Sequence, residues 1–98
     1  MIILKAKKQP WESKDYDADY SEWMSAGDAI VSAIVTVKCL TTPLDTTLLV
    51  TNVDIRPAIV KIWLNGGTDA QKYQLTVRAT TQDMRRVEVE IIITVKEE

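Results

Sequence analysis

The sequence predicts an all-β fold, an antiparallel β-sandwich of about seven strands, and three observations support this class. Apolar and polar residues alternate with a period of two along much of the chain. Turn-forming residues interrupt the alternation at short intervals, and no segment shows the period of 3.6 residues that is typical of a helix. Because a half-buried sheet must cover its apolar face, we expect two facing sheets in a single domain over residues 1–98.

The two C-terminal strands carry the clearest alternation. The apolar face of the last strand consists of Val87, Val89, Ile91, Ile93 and Val95. The apolar face of the strand before it consists of Tyr73, Leu75, Val77 and Ala79. Residues 81–85 form a short, mainly polar segment between the two strands, which predicts an antiparallel hairpin. Ile92 is an exception, because it is an apolar residue on the polar face of the last strand.

Further strands are predicted upstream of this hairpin. They cover residues 2–6, 30–38, 46–53 and 58–64. Both faces of the segment 30–38 are fairly apolar, which is typical of a central strand. A turn follows the segment 58–64 and contains Asn65, Gly66 and Gly67, since glycine and asparagine adopt positive φ angles at little steric cost.

Residues 11–27 do not fit this pattern, and we expect a long loop that packs on the sandwich, with a short helical turn near Ser21. The segment mixes acidic residues with four large aromatic side chains. These are Trp11, Tyr16, Tyr20 and Trp23. Aromatic side chains contribute large contact areas and are enriched at interfaces. Two interpretations stay open, since these residues either cover the core or contact a partner.

The N-terminal strand is an apolar edge with no charge before Lys5. Natural proteins seldom leave such an edge unprotected. The strand therefore either pairs within its own sheet or is covered by a neighbouring subunit through strand addition, and Ile92 is a candidate for the same contact. The predicted interface residues are Ile2, Leu4, Trp11, Tyr16, Tyr20, Trp23 and Ile92.

Composition and charge argue against several function classes. The net charge is −2 and the pI is near 5.1, so the chain lacks the basic footprint of a nucleic-acid-binding protein. It contains no histidine, which excludes Ser-His-Asp and Cys-His catalytic triads. Its single cysteine, Cys39, cannot form an internal disulfide and is expected to be a buried, inert thiol. No apolar run approaches the roughly 20 residues of a membrane span, so we expect no membrane partner.

Carboxylate clusters do not predict a metal or catalytic site. Three aspartates alternate like the first ligands of a calcium loop, namely Asp15, Asp17 and Asp19. An EF-hand would have Gly where Tyr20 stands and Glu where Ala26 stands. Glu88 and Glu90 share one face of a strand with basic neighbours, which favours cross-strand ion pairs over acid–base catalysis. We therefore expect no catalytic residue, no metal and no cofactor.

Residues 64–95 resemble the last two strands of an immunoglobulin or fibronectin type III domain. Tyr73 occupies the position of the tyrosine-corner residue, whose hydroxyl bonds back to the chain where the sheet turns. The cysteine pair and the tryptophan that packs on it are missing, and Trp63 is expected to fill the core instead. The resemblance implies an immunoglobulin-like sandwich in which Trp63, Gly66, Gly67 and Tyr73 have structural roles.

Several motifs also occur in a fixed order over most of the chain. They are DYDADYS at 15–21, Trp23, GDAIVS at 27–32, IWLNGGT at 62–68, Tyr73 and VRATT at 77–81. This order is similar to small structural proteins of tailed bacteriophages, of the fiber-tail adaptor or neck and tail accessory type. The chain departs from that pattern where residues 33–39 lack a tryptophan and where residues 82–85 lack a glycine.

This second resemblance implies a non-enzymatic virion protein, made in the cytoplasm of the bacterial host, that contacts other phage structural proteins in the neck, tail or capsid surface. Self-association is an open alternative for the partner. A carbohydrate-binding or adhesion module is an alternative function, because an exposed aromatic platform would stack on a saccharide. A metal-dependent enzyme is a third alternative, with the aspartate row as its only support.

Overall fold

The computed structural model describes the backbone of residues 2–97 and the side chains of residues 4–97. Seven strands and one 3-10 turn follow the chain. They are β1 (Ile2–Lys8), β2 (Ser13–Asp19), the turn (Ser21–Trp23), β3 (Ile30–Cys39), β4 (Leu48–Ile55), β5 (Ile59–Gly66), β6 (Gln71–Thr81) and β7 (Arg86–Val95). The all-β prediction is therefore confirmed. No helix among the described residues is long and apolar enough to cross a bilayer.

The strands form two sheets, with the orders β1-β7-β6-β3 and β2-β5-β4. Among the described strands, neighbours run antiparallel except for β1 and β7. These two strands are parallel, and Leu4 lies opposite Ile91. The prediction of a purely antiparallel sandwich is wrong at this pair. A parallel pair needs a crossover connection, and here everything between β1 and β7 serves as that connection.

Both apolar faces predicted for the C-terminal hairpin are turned into the core. Val89, Ile91, Ile93 and Val95 of β7 are buried next to their neighbours from β6, and the other sheet contributes a facing layer. That layer includes Leu48, Val60, Ile62 and Leu64. Each large apolar side chain buried in this way contributes about 1.5–3 kcal/mol. The register of β6 on β7 is regular from end to end, so alternation alone locates this part of the core.

β3 lies at the edge of the four-stranded sheet, and the prediction that it is a central strand is wrong. Its inner face includes Val35 and Val37, which pack against the core. Its outer face carries Ile34, which is 65% exposed. An apolar residue on the second face of a strand is compatible with burial but does not require it, because much of a protein surface is itself apolar.

Residues 11–27 are not a loop throughout, because β2 occupies Ser13–Asp19 and pairs with β5. The inner face of β2 has few apolar residues, Tyr16 and Ala18, while its aspartates point outward. The alternation is present but carries little hydrophobic signal, which is why the pattern was missed. The 3-10 turn at Ser21–Trp23 agrees with the helical turn predicted near Ser21.

Trp63 does not fill the core, and the prediction that it does is wrong. Ile62 and Leu64 are fully buried on the inner face of β5, so strand alternation turns the residue between them to the outer face. Trp63 is 37% exposed there, between Asp15 of β2 and Asn52 of β4.

Strand register places the connections at two opposite ends of the sandwich. One end, here called the loop end, holds residues 9–12, 40–47 and 67–70. At this end β1 and β3 finish with Lys8 and Cys39, and β6 begins with Gln71. The other end, called the hairpin end, holds residues 20–29, 56–58 and 82–85. The two ends separate the predicted interface residues from one another.

Candidate interaction surface

A groove at the hairpin end brings two of the predicted interface residues together. Leu4 of β1 and Trp23 of the 3-10 turn line it with Val89, and the volume is about 450 Å³. Its rim is polar and includes Asp19 and Glu22. Leu4 is 39% exposed and Trp23 is half-buried, so both leave apolar surface accessible to a partner. This feature is called the Leu4–Trp23 groove below.

The groove lies beside the open edge of β1. The carbonyl oxygen of Lys8 accepts a hydrogen bond from the Lys96 N–H at 2.9 Å, on the side of β7. The carbonyl oxygen of Lys7 accepts one from the Tyr16 hydroxyl at 2.9 Å. The N–H and C=O groups of successive strand residues point to opposite sides of the strand. The backbone groups of Lys5, like those of Lys7, therefore face away from β7. Among the described residues, no strand pairs with β1 on that side.

Tyr20 is a core residue, so the prediction that it contacts a partner is wrong. Its side chain is 1% exposed, and its hydroxyl donates to the Val77 carbonyl oxygen across the sandwich at 3.0 Å. Burial raises the pKa of Tyr20 to about 12, which keeps the hydroxyl protonated and able to donate. The ring also meets that of Trp23 edge to face, with 6.5 Å between centroids. Tyr20 therefore holds Trp23 in place at the groove.

Tyr16 has a similar anchoring role at the opposite end of β1. Its side chain is half-buried, and the hydrogen bond to Lys7 ties β2 to β1 across the two sheets. Desolvation raises the pKa of Tyr16 to about 12, so this hydroxyl also stays protonated. The ring retains some exposed surface next to the open edge, and its role in a contact stays a prediction.

The structure separates the remaining interface candidates from the groove. Trp11 is 93% exposed in the turn 9–12 at the loop end, where the Gln9 N–H donates to the Glu12 carboxylate at 2.7 Å. Ile92 lies half-buried on the outer face of β7, opposite Lys5 of β1. The side chain of Ile2 lies outside the described residues. The structure therefore brings Leu4 and Trp23 together but places Trp11 and Ile92 elsewhere.

Tyr73 organises the loop end from the core. Its buried hydroxyl accepts a hydrogen bond from the Thr68 N–H at 2.8 Å and donates to the Asp45 carboxylate at 2.9 Å. The hydroxyl and the N–H of Thr47 donate to the same carboxylate, and these bonds hold the pKa of Asp45 well below its usual range. Gly66 has a φ of 81°, and a Cβ there would collide with the Thr47 carbonyl oxygen. The turn and Tyr73 thus form one unit.

Lys8 is a buried residue that sequence reasoning missed. Its side chain is 2% exposed, and its ammonium group donates to the carbonyl oxygens of Gly66 at 2.6 Å and Gln9 at 2.9 Å. Burial lowers the pKa of Lys8, while the nearby Glu12 opposes that shift. The signal was available, because Lys8 is in phase with Leu4 and Ala6 on the inner face of β1.

The aspartate row on β2 is part of an ion-pair network. The Lys61 ammonium lies 2.8 Å from an Asp15 oxygen and 3.1 Å from an Asp17 oxygen. The hydrogen bond from Lys61 lowers the pKa of Asp15, and the same bond raises the pKa of Lys61. Among residues 2–97, no group of three His, Cys, Asp or Glu side chains is placed to hold a metal ion. The row therefore supports cross-strand pairing with β5.

Comparison with known families decides which kind of protein carries this surface. A family model described as podophage GP4 fiber-tail adaptor protein gp77 matches residues 8–94 of the chain. The chain belongs to this fiber-tail adaptor family. The predicted resemblance to phage tail proteins is therefore confirmed, and the chain is a phage structural protein and a virion component. No curated protein matches the chain significantly. The likeness to an immunoglobulin or fibronectin type III domain stays a prediction.

Proposed function

We propose that this fiber-tail adaptor joins neighbouring virion proteins in the neck or tail without catalysis, and that it holds one of them at the Leu4–Trp23 groove and the open edge of β1. The family supports a role in assembly. The observation that carries the choice of surface is the juxtaposition of an apolar groove with an unpaired strand edge. Each feature alone is common on protein surfaces, but together they match the two requirements of strand addition.

The partner that fits this surface is an extended segment. Its backbone would bond to the N–H and C=O of Lys5, and hydrogen bonds of this kind supply affinity without regard to sequence. Side chains of a strand alternate between two faces, so every second residue of the segment would point toward the groove. One apolar side chain would pack on Leu4 and Trp23. The carboxylates of Asp19 and Glu22 at the rim favour a basic residue beside it.

A Lys5→Pro variant tests the strand-addition step. Proline removes the N–H of residue 5, which faces away from β7, so no bond of the β1–β7 ladder is lost. We expect this variant to fold with a near-normal melting temperature and to lose binding to the purified tail and fiber proteins of the same phage, measured by biolayer interferometry. Lys5→Ala is the matched control, because it removes the charge but keeps the N–H. Equal binding by Lys5→Pro and the wild type would contradict the proposal.

A Leu4→Glu variant tests the groove separately. It places a charge against Trp23 and the acidic rim, which opposes entry of an apolar side chain. We expect a loss of binding in the same assay, whereas Trp11→Ser at the loop end is the matched control and retains binding. Loss of binding by Trp11→Ser alone would move the contact surface to the opposite end of the molecule.

A saccharide-binding function has one supporting observation, the nearly complete exposure of Trp11. Exposed indole rings stack on sugars, but the other three aromatic residues of the segment are held partly or fully inside the sandwich. A glycan array probed with the wild type and with Trp11→Ser distinguishes the two functions. Binding that disappears in Trp11→Ser would favour the saccharide function over the adaptor contact.

A further inference from the structure

The two outer faces of the sandwich have opposite charge, although the net charge of the chain is only −2. On the four-stranded sheet, the outward strand residues include six basic side chains and two acidic ones, Glu88 and Glu90. The basic ones are Lys5, Lys7, Lys38, Lys72, Arg78 and Arg86. On the three-stranded sheet, the outward strand residues include four acidic side chains and one basic one, Lys61. The acidic ones are Asp15, Asp17, Asp19 and Asp54.

The face of the three-stranded sheet, called the acidic face, has an aromatic residue at its centre. Trp63 projects from the middle strand β5, with Asp15 on one side and Asn52 on the other. The side chain is 37% exposed, and neither of its neighbours in register is apolar. An exposed tryptophan surrounded by polar residues is a typical energetic centre of a protein interface. Arg56, directly after β4, pairs with Asp54 and lies at the margin of this face.

The face of the four-stranded sheet, called the basic face, has a depression that matches this arrangement. It has a volume of about 480 Å³ and lies between β3, β6 and β7. Its lining includes the exposed Ile34 together with Arg78 and Arg86. An isoleucine and a guanidinium group form a suitable seat for an indole ring, since arginine stacks on the faces of tryptophan side chains.

Each face is large enough for a stable contact. The molecule measures 42 × 21 × 18 Å, so a face that spans the longest dimension and either of the other two has an area of about 760–880 Å². This is close to the roughly 800 Å² that each partner buries in a standard protein interface.

We propose that copies of this chain stack on one another, with the acidic face of one copy on the basic face of the next and Trp63 seated against Ile34 and Arg78. A second copy is the occupant that the charges favour, because the molecule presents both halves of a complementary pair. The two halves lie on different surfaces, so the contact is heterologous. Contacts of this type repeat from copy to copy and close into a ring or extend into a filament.

Charge reversal on each face in turn tests this stacking. One variant carries Asp15→Lys and Asp17→Lys, so that both of its faces become basic. The other carries Lys38→Glu and Lys72→Glu, so that its basic face loses its excess of positive charge while its acidic face is unchanged. We expect each variant alone to raise the dissociation constant of self-association by about 100-fold or more, measured by analytical ultracentrifugation. In the first variant like charges meet across the contact, and in the second the attraction between the two faces is lost. An equimolar mixture of the two variants should associate again, since the unaltered basic face of the first variant then meets the unaltered acidic face of the second.

Two further variants test whether the effect comes from the two faces and not from the net charge, and whether Trp63 anchors the contact. Lys14→Glu with Lys96→Glu changes the net charge by the same amount as the second face variant but lies at the loop end, and it should assemble like the wild type. Trp63→Ala should weaken assembly about tenfold or more with little change in melting temperature. Raising NaCl from about 0.05 to about 0.5 M should weaken wild-type assembly, because the screening length shortens.

Three outcomes would overturn the stacking. They are a wild-type chain that stays monomeric at low salt up to millimolar concentration, face variants that assemble like the wild type, and a mixture that fails to restore assembly. A monomeric wild type whose acidic face binds a different, basic partner would belong to the first of these. The Lys5→Pro variant keeps every residue of the two reversed-charge pairs, so failure of the stacking and failure of the strand addition are distinguishable.

Discussion

The central hairpin of β6 and β7 differs from the two edge strands of the same sheet, β1 and β3, in what its apolar residues do. In the hairpin, the apolar residues of the inner face are almost all fully buried. On the edges, Leu4 and Ile34 keep 39% and 65% of their surface exposed. The same residue types thus stabilise the fold at the centre of the sheet and remain available to neighbours at its margins. The central strands therefore bury their inner apolar residues, whereas the edge strands leave apolar surface exposed.

Two adjacent residues of β7 show the difference between the inner and outer faces most directly. Ile93 is fully buried and Ile92 lies half-buried on the basic face. We expect Ile93→Ala to lower the free energy of unfolding by about 2–5 kcal/mol, because a large cavity is left in a close-packed core. Ile92→Ala should cost about 1 kcal/mol or less. Urea unfolding curves measure both, and equal losses would mean that burial does not distinguish the two faces of the hairpin.

The next effect in size concerns the link between β6 and the loop end. Tyr73→Phe keeps the buried ring but removes the hydroxyl that bonds Thr68 and Asp45. We expect a loss of about 1–3 kcal/mol in urea unfolding, since the Thr68 N–H is left without its partner. The ring still fills the core, so the fold should be retained. An unchanged free energy of unfolding would show that the loop end does not depend on the hairpin.

Acid should weaken the same link. The pKa of Asp45 in the folded chain lies below its ordinary value of 3.8, chiefly because the Thr47 hydroxyl donates to it. Its contribution to stability is therefore complete above pH 4 and is lost as the pH falls below that value toward the folded pKa. We expect the free energy of unfolding to fall less steeply between pH 4 and pH 2 in Asp45→Asn than in the wild type. Parallel acid limbs for the two proteins would contradict this.

The smallest effect is expected at the loop end itself. Trp11 is 93% exposed, so Trp11→Ser should change the free energy of unfolding by no more than about 0.5 kcal/mol. Differential scanning calorimetry would check this. A larger loss would mean that the indole ring packs on the sandwich, and that Trp11 belongs with the stabilising residues of the hairpin.

What could be predicted from the sequence divides in the same way, between the central hairpin of β6 and β7 and the rest of the molecule. The hairpin was predicted in detail because both of its strands alternate fully and Tyr73 lies at its start. β2 was missed because its inner face offers only Tyr16 and Ala18 as apolar residues. The edge position of β3 and the outward direction of Trp63 depend on which strands become neighbours. Periodicity within one strand carries no information about that order, since it reports only which residues share a face.

The candidate surface was predicted in its parts but not in its arrangement. Leu4 and Trp23 were both named from their apolar character, yet they are far apart in the sequence, and only the folded chain brings them to line one groove. Tyr20 was named for the same reason and lies in the core, because its hydroxyl finds the Val77 carbonyl oxygen across the sandwich. The opposite charges of the two faces depend on strand order as well, so the net charge of the chain concealed them.

The parallel pairing of β1 with β7 also determines how the molecule responds to tension. β1 begins at the hairpin end and β7 finishes at the loop end, so a pull on the two strands in opposite directions acts along their shared axis. The seven-residue register then resists as a whole, because evenly spaced bonds in shear must break together, whereas bonds opened from one end break one at a time. A tail component built in this way resists tension best along the axis that these two strands share.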